Sequence, residues 1–146
     1  MTYAMSRPRG VIHHWAEHLP LTPATPRITL GEGDTPLVRS VHLAGLCGLD
    51  ELWFKLESCN PTGSFKDRGM VVAVAKALES GAKAVMCAST GNTSASAAAY
   101  AAHCGIECFV LVPGGKVAAG KMAQAIAFGS KIIEVDGNFD DALNAA

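Results

Sequence analysis

Net charge and long apolar runs are both scarce in this 146-residue sequence. The 12 lysines and arginines nearly balance the 13 aspartates and glutamates, so the net charge is −1 with neutral histidines. Without a basic excess, the composition excludes the electrostatic footprint of a nucleic-acid-binding protein and a polybasic membrane surface. Lys, Gly or Pro interrupts each long apolar run well short of the roughly 20 residues that span a bilayer. We therefore expect neither nucleic acid nor membrane as a partner.

Cysteine shows none of the spacings that are typical of metal or redox sites. The five cysteines are an odd number with no C-x-x-C pair, and they are Cys47, Cys59, Cys87, Cys104 and Cys108. Residues 1–10 lack the apolar core of a secretory signal. These features predict reduced thiols in a cytoplasmic protein. Cys104 and Cys108 flank a turn, where we expect small buried side chains rather than a metal or redox pair.

A histidine pattern near the N-terminus resembles the inverted zinc-protease motif, H-x-x-E-H. His14 and His18 stand four residues apart, with Glu17 between them, so a continuous helix would place both imidazoles on one face, as zinc requires. However, Pro20 ends such a helix early, and no further ligand can be assigned. We therefore predict an exposed polar face with Trp15 packed inward, and no metal site.

Strand and helix patterns alternate from about residue 52 to the end of the sequence. The strands are short apolar runs, the helices repeat apolar positions at helical spacing, and glycines mark helix ends. Short connections between such units predict an α/β fold with a parallel, doubly wound sheet that binds ligands at the carboxyl ends of its strands. We predict strands at 52–57, 84–88, 107–112 and 131–135, and helices at 66–78, 93–103, 117–128 and 139–146.

The segment NPTGSFKDRGM at 60–70 places a lysine at the start of a helix. A turn-forming run precedes Ser64, which we expect to cap the helix, and Asp67 three residues later resembles half of a capping box. Lys66 then lies in the first helical turn, where the helix dipole disfavours a cation. That position favours the neutral amine that a covalently reacting lysine must become. The alternative is an ordinary solvated lysine after a turn.

A second polar segment, ASTGNTSAS at 88–96, follows the carboxyl end of a predicted strand. Residues 89–93 offer hydroxyls, an amide and the N–H groups of a helix start, which together can bind an anion such as a carboxylate. Capping of the following helix by these same Ser, Thr and Asn side chains is the alternative explanation.

The segment PGGK at 113–116 does not have the spacing of a nucleotide-binding phosphate loop, so we reject a nucleotide site. Lys116 and Lys121 could each point toward a phosphate group near a helix start. A solvated helix face is the alternative for either lysine, and the sequence does not decide between the two.

The lysine segment and the asparagine segment together resemble the threonine synthase family of fold-type II pyridoxal-phosphate (PLP) enzymes. Residues 60–70 resemble the family's cofactor-lysine segment, and 88–96 resemble its asparagine loop beside the cofactor ring. Residues 31–38 resemble the "GxTPL" entry segment of the family, and the likeness runs from about Gly31 to the end. Two specific motifs in the expected order support the resemblance more strongly than either motif alone.

The resemblance implies a role for each residue of the two segments. Lys66 would be the catalytic residue and the one that holds pyridoxal 5'-phosphate, while Asn92 would contact the phenolic oxygen of its ring. The substrate carboxylate would bind Ser89, Thr90 and Thr93. The remaining implied ligands of the substrate, at its phosphate, are Lys116 and Lys121.

The implied reaction converts O-phospho-L-homoserine and water to L-threonine and phosphate. Serine and threonine dehydratases of the same fold show "SFK-x-RGA" and "SAGNHAQ"-like segments, and cysteine synthases a "TSGNTG"-like loop. The segments here match the threonine synthase pattern better, so a dehydratase remains the alternative enzyme. The family also implies a small-molecule substrate and a homodimer of the full-length protein.

Several parts that the family needs are not recognisable after Asn92. They are a glycine-rich loop for the cofactor phosphate, a hydroxyl partner for the pyridine nitrogen, and much of a second domain. We therefore expect an N-terminal portion of a longer enzyme, inactive by itself, and the further alternative is a non-catalytic α/β module. On this interpretation, residues 1–51 would pack on the larger domain and 52–146 would belong to the smaller α/β domain.

Overall fold

A computed structural model describes residues 10–114 and 119–146. The elements in chain order are α1 (Val11–His14), β1 (Leu37–Arg39), α2 (Leu43–Leu46), β2 (Trp53–Lys55), α3 (Lys66–Glu79), β3 (Ala84–Ala88), α4 (Asn92–Cys104), β4 (Glu107–Pro113), α5 (Ala119–Ala127), β5 (Lys131–Val135) and α6 (Phe139–Ala145). Single 3₁₀ turns lie at Ala16–His18 and Glu57–Cys59. None of the helices in these ranges is long and apolar enough to cross a membrane.

The predicted parallel sheet is present and contains β3, β4 and β5 in that order. Ala84 of β3 pairs with Glu107 of β4, and Phe109 of β4 pairs with Lys131 of β5, both in parallel register. The helices α4 and α5 make the two crossovers, which confirms the alternating pattern that the sequence predicts.

The strand predicted at 52–57 does not join this sheet. Its core, β2, pairs antiparallel with β1 in a separate two-stranded sheet, where Val38 opposes Phe54. The expectation of a parallel unit starting at residue 52 is therefore wrong. A three-residue strand carries too little pattern to specify its partner, and the nearby segment 37–39 supplies an antiparallel one.

The two faces of the parallel sheet are covered by different helices. On β4, Cys108, Val110 and Val112 are buried against α4 and α5. Because side chains alternate along a strand, Leu111 faces the other side, where α6 packs over β4 and β3. Helices therefore lie on both faces, as in a doubly wound sheet.

Small side chains let α4 approach the sheet closely, as its alanine content predicts. Ala97, Ala98 and Ala101 are almost completely buried between α4 and the strands. The helix ends at Gly105, whose positive φ of 68° is a left-handed conformation that glycine adopts without a Cβ clash. The short return into β4 begins from this turn.

The five cysteines all have free thiols. Burial raises the pKa of Cys87 to about 12 and that of Cys108 to about 11. Cys104 is half-buried, and burial raises the pKa of its thiol too. A thiol with a raised pKa is a poor nucleophile, so these side chains act as small apolar groups.

The histidine pattern does not lie on one continuous helix. α1 ends at His14, the backbone leaves helical geometry at Trp15, and His18 belongs to the following 3₁₀ turn. His14 instead approaches Asp34, with 3.5 Å between Nε2 and Oδ2. Among the described residues, no group of three His, Cys, Asp or Glu side chains could hold a metal. The inward packing predicted for Trp15 is wrong, because that side chain is 55% exposed.

A second core cluster attaches the N-terminal part to the helices. Val11 and Ile12 pack against Val71 and Val74 of α3 and against Tyr100 of α4. The same region is held by the fully buried Glu32, whose carboxylate accepts hydrogen bonds from the Val11 N–H at 2.9 Å and the Tyr100 hydroxyl at 2.8 Å. A buried carboxylate requires hydrogen-bond donors. The donors to Glu32 come from α1 and α4, so this carboxylate holds the two helices together. The predicted division at residue 51 stays a prediction.

Candidate active site

Lys66 is the first residue of α3, as the sequence predicts. Its side chain is half-buried, and its Nζ lies 5.0 Å from the ring centre of the exposed Phe65. Within the part of the chain that the structure describes, Lys66 takes part in no ion pair. No carboxylate of α3 therefore holds the Lys66 amine in an ion pair.

The start of α3 is built differently from the predicted capping box. Phe65 occupies the position before the helix, and the hydroxyl of Ser64 accepts a hydrogen bond from the Lys66 N–H at 3.3 Å. Asp67 does not return to the backbone of Ser64. Its carboxylate instead accepts from the backbone N–H of Thr62 at 2.7 Å and from the Thr62 hydroxyl at 2.6 Å. The capping-box prediction is therefore wrong, because the turn before Ser64 offers Asp67 two donors with better reach.

The turn before Lys66 is fixed by Asn60. Its Oδ1 accepts from the Gly33 N–H at 3.0 Å, and its Nδ2 donates to the backbone carbonyl of Glu57 at 2.9 Å. Gly63 closes the turn with a φ of 79°, which strains any residue that has a Cβ. The entry segment at 31–38 is thus bound directly to the turn that leads to Lys66.

Arg68 is connected to the same turn through Glu57, whose carboxylate also accepts a hydrogen bond from Asn60. Arg68 Nε and Nη2 each donate to a different oxygen of the Glu57 carboxylate at 2.7 Å, and Nη2 also reaches Thr35 Oγ1 at 3.1 Å. The hydrogen bond from Arg68, helped by those from Thr35 and Asn60, lowers the pKa of Glu57 to about 2 against the opposing effect of desolvation. Two-point pairing of this kind is strong and directional.

Glu57 and Thr35 are functional partners of this region that no sequence motif indicates. Arg68 belongs to the lysine segment, so its charge was visible in the sequence. Its partners lie 11 and 33 residues away, across a turn and a strand. No periodic pattern links positions separated in this way, so only the folded chain reveals the pairing.

The segment 89–93 lies at the carboxyl end of β3, as expected for a ligand-binding loop of a parallel sheet. Ser89 is fixed to the neighbouring strand by its N–H, which donates to the Leu111 carbonyl at 3.2 Å. Gly91 occupies the position before α4, and none of the side chains that the structure describes caps the helix there. The Ser89 hydroxyl accepts from the Gly91 N–H at 3.2 Å, within the loop itself. The capping explanation therefore does not account for these residues.

The predicted carboxylate ligands remain accessible in this arrangement. Ser89, Thr90 and Thr93 are half-buried, and so is Asn92, the first residue of α4. An uncapped helix start with half-buried hydroxyls beside it has the chemistry of an anion site.

One buried hydrogen bond joins the two segments directly. Ser96 Oγ of α4 donates to Asp67 Oδ1 of α3 at 2.6 Å, and both residues are fully buried. Lys66 immediately precedes Asp67, and Asn92 lies one helical turn before Ser96. The structure therefore links the two predicted segments through Asp67 and Ser96, a pairing that neither segment indicates by itself.

Lys121 lies against the lysine turn, whereas Lys116 is outside the described residues. Lys121 Nζ is 3.4 Å from the Thr62 carbonyl oxygen and 3.3 Å from Gln124 Oε1. Gln124 Nε2 donates to the same Thr62 carbonyl at 3.2 Å. One face of α5 therefore packs over the turn that leads to Lys66, so Lys121 is near the candidate site and is only half-exposed.

Comparison with known proteins matches most of the chain, and the matched range includes both segments. A family model described as pyridoxal-phosphate dependent enzyme matches residues 28–146. Threonine synthase of Bacillus sp. (strain ULM1) is 55% identical over 137 residues, which cover 94% of this chain and 39% of that relative. The chain thus spans well under half the length of the curated relatives it matches.

Solved structures show the same fold. Maize serine racemase superimposes with a TM-score of 0.66 at 28% identity, over 74% of this chain and 32% of that one. Diaminopropionate ammonia lyase of Escherichia coli in apo form gives a TM-score of 0.71 at 21% identity, over 84% and 39% of the two chains. The predicted α/β fold class is confirmed.

Proposed function

Because the chain belongs to the family of pyridoxal-phosphate dependent enzymes, we propose that it is the lysine-bearing part of a threonine synthase. The proposed reaction converts O-phospho-L-homoserine and water to L-threonine and phosphate. The observation that carries the proposal is the direct link between the Lys66 and Asn92 segments, in a chain 55% identical to a threonine synthase. A homodimer of the full-length protein and a cytoplasmic location belong to the same proposal and rest on the resemblance alone.

The side chains present fit the reactive end of pyridoxal 5'-phosphate. Lys66 offers a half-buried primary amine outside any ion pair with a described residue, which suits a covalent bond to the cofactor's aldehyde carbon. Asn92 offers an amide donor for the phenolic oxygen at the start of the neighbouring helix. When bound, the cofactor supplies an electron sink for negative charge that develops on substrate carbons.

The segment 89–93 would bind the amino-acid substrate by its carboxylate. Ser89, Thr90 and Thr93 supply hydroxyl donors, and the uncapped start of α4 supplies N–H groups and the positive end of its dipole. No arginine is needed for this role. Lys121, held over the Thr62 carbonyl, would assist at the substrate phosphate, and Lys116 is the second proposed ligand there.

Lys66 would also move protons during the reaction. Once the substrate's amino group has displaced Lys66 from the cofactor's aldehyde carbon, the released neutral amine of Lys66 would remove the proton at the α carbon and later return one there, and it would remove a proton from the β carbon. The bond between the γ carbon and the phosphate oxygen breaks, phosphate leaves, and the γ carbon gains a proton. Water then adds its hydroxyl at the β carbon, which gives L-threonine.

The first test uses the 146-residue chain and its attachment to pyridoxal 5'-phosphate. We expect a visible absorption band, and borohydride reduction should leave a pyridoxyl group on the peptide that contains Lys66, as mass spectrometry will show. Lys66→Ala should abolish both signals. Lys121→Ala is the matched control, because it removes a nearby lysine and should leave the label on Lys66. Labelling spread over exposed lysines, with none preferred, would contradict the proposed site.

The second test addresses the substrate. The chain is joined to the remaining part of the Bacillus sp. (strain ULM1) threonine synthase, in place of the segment it matches. We expect phosphate release from O-phospho-L-homoserine, and Lys66→Ala should lower the rate about 100- to 10,000-fold, the usual contribution of a positioned acid or base, or more. Formation of a 2-oxo acid from threonine, without phosphate release from O-phospho-L-homoserine, would instead favour a dehydratase.

A further inference from the structure

Asp67 carries a fully buried carboxylate whose partners come from two different parts of the fold. Its Oδ2 accepts from the Thr62 N–H at 2.7 Å, while its Oδ1 accepts from the Thr62 hydroxyl and the Ser96 hydroxyl, both at 2.6 Å. Thr62 belongs to the turn before α3, whereas Ser96 belongs to α4. The carboxylate is therefore a junction between the two helices whose first residues are Lys66 and Asn92.

The position of this junction along each helix is what gives it a consequence. Asp67 directly follows Lys66, and Ser96 lies four residues after Asn92, which is one helical turn or about 5.4 Å of rise. We propose that the Asp67–Ser96 hydrogen bond sets the spacing and the relative rotation of the two helix starts. Asp67 and Ser96 are then positioning residues, which hold the Lys66 amine and the Asn92 amide where both reach one ligand.

The junction is itself held in place from the turn side. Thr62 donates twice to Asp67, and its own carbonyl accepts from Gln124 Nε2 of α5 at 3.2 Å. A carboxylate bound by three short hydrogen bonds in a fully buried place has little freedom to rotate. A shift of the turn is therefore transmitted to α4 through Ser96, and a shift of α4 is transmitted back to Lys66.

This inference rests on the proposed function for its purpose, since it assumes that Lys66 and Asn92 serve the same ligand. The alternative is that the hydrogen bond only stabilises the core. The positioning role and the purely stabilising role differ in what a variant changes. If the hydrogen bond only stabilises the core, its loss makes the whole core open more often. A positioning role predicts an effect at both helix starts and on the reaction of Lys66.

The first arm needs no cofactor and measures amide hydrogen exchange of the 146-residue chain. In Ser96→Ala, we expect exchange of the hydrogen-bonded amides at the two helix starts, those of Lys66, Arg68 and Ala95, to rise about fivefold, the effect of losing one buried hydrogen bond, with smaller changes elsewhere. Ser94→Ala is the matched control. Ser94 is equally buried on the same helix, but its hydroxyl donates only to the Gly91 carbonyl at 2.7 Å, so exchange should rise in α4 alone.

Two further variants keep this arm decisive if Ser96→Ala unfolds. Thr62→Val removes one donor to Asp67 without touching α4, and it should raise exchange at both helix starts in the same way. Ser96→Thr keeps the hydroxyl and should restore slow exchange at Lys66 and Arg68. A rise confined to α4 in Ser96→Ala, or a uniform rise in every variant, would overturn the positioning role.

The second arm measures how fast pyridoxal 5'-phosphate attaches to Lys66, with borohydride trapping and mass spectrometry of the labelled peptide. We expect Ser96→Ala to slow attachment about tenfold, Ser96→Thr to recover it, and Ser94→Ala to leave it unchanged. Equal rates in Ser96→Ala and the unaltered chain would overturn the proposal. If the unaltered 146-residue chain does not attach the cofactor, the same rates are compared in the protein joined to the Bacillus sp. (strain ULM1) segment. No label on Lys66 there would mean that the proposed function fails, while the exchange arm separately decides whether the helix starts are coupled.

Discussion

At the scale of single residues, Glu57 makes stability depend on acid. Its pKa falls from 4.5 to about 2 in the folded chain, chiefly because Arg68 donates to its carboxylate. The folded state therefore binds fewer protons than the unfolded state between these values, so this contribution is present above pH 4.5 and is lost as pH falls through about 2. We predict that Glu57→Gln lowers stability at pH 7 and makes it fall less steeply below pH 4.5.

Urea unfolding midpoints measured from pH 7 to pH 2 will test this prediction. The acid dependence should shrink but persist, because the pKa of Glu79 is also lowered to about 2, chiefly by its hydrogen bond from Lys76. Glu51→Gln is the control, because Glu51 pairs with Arg39 at the surface with both side chains more than half exposed, and such pairs contribute little. An unchanged slope in Glu57→Gln would mean that the ion pair with Arg68 also persists in the unfolded chain.

At the scale of helices and strands, sequence patterns predicted most of the second half of the chain. Helical spacing located α3 and α4 within one residue at each end, and the apolar run at 84–88 matches β3. These features are local, since the residues that define each element lie within it. The sheet partner of β2 was not predictable in this way, because β1 lies at the end of the entry segment and meets β2 only in the folded chain.

The same distinction applies to the candidate site. The positions of Lys66 and Asn92 at helix starts follow from local turn and helix signals, and the structure has both there. The partner of Asp67 on α4 could not be predicted locally, in contrast to Thr62, which lies in the same turn. Ser96 lies 29 residues away, and its hydroxyl competes successfully with the capping arrangement that residues 64–67 alone would favour. Tertiary contacts of this kind override local preferences whenever they satisfy a buried charge.

The fit of α4 against the sheet gives a prediction at this scale. Ala98 is 1% exposed in the core cluster with β4, so the two methyl groups that valine adds would press against closely packed buried neighbours. We expect Ala98→Val to lower the free energy of unfolding by about 1–3 kcal/mol through overpacking. Ala102→Val is the matched control on the same helix, because Ala102 is exposed and pays only the small loss of helix propensity.

Urea denaturation of both variants gives the difference directly. Because the propensity cost is common to the two substitutions, their difference measures the packing of α4 on the sheet alone. Equal losses in Ala98→Val and Ala102→Val would show that α4 can move away from the strands at little cost.

At the scale of the whole molecule, one face of the parallel sheet is only partly covered. Val85, Cys87 and Ile132 point toward the core under α4 and α5, whereas Met86 and Ile133, on the other face, are 46% and 40% exposed. The helix α6 packs over β4 and β3 on that face but leaves these two side chains accessible. Met86 lies on β3 and Ile133 on β5, the two edge strands of this sheet, and exposed apolar side chains spread over one sheet face are typical of a surface that another element covers.

We expect the part of the relatives that this chain does not match to cover the exposed sheet face. The chain spans 39% of the Bacillus sp. (strain ULM1) threonine synthase, so the joined protein contains segments that can pack on this face. We predict that Ile133→Glu leaves the urea midpoint of the 146-residue chain nearly unchanged. The same substitution should lower the urea midpoint of the joined protein. In the chain alone the carboxylate stays in water, whereas under a covering segment it is buried without a partner, which costs several kcal/mol. Ile126→Glu is the control, because Ile126 is 55% exposed on α5, away from this face. Equal destabilisation of the joined protein by both changes would show that the open sheet face has no special role in receiving the segment added from the Bacillus sp. (strain ULM1) protein.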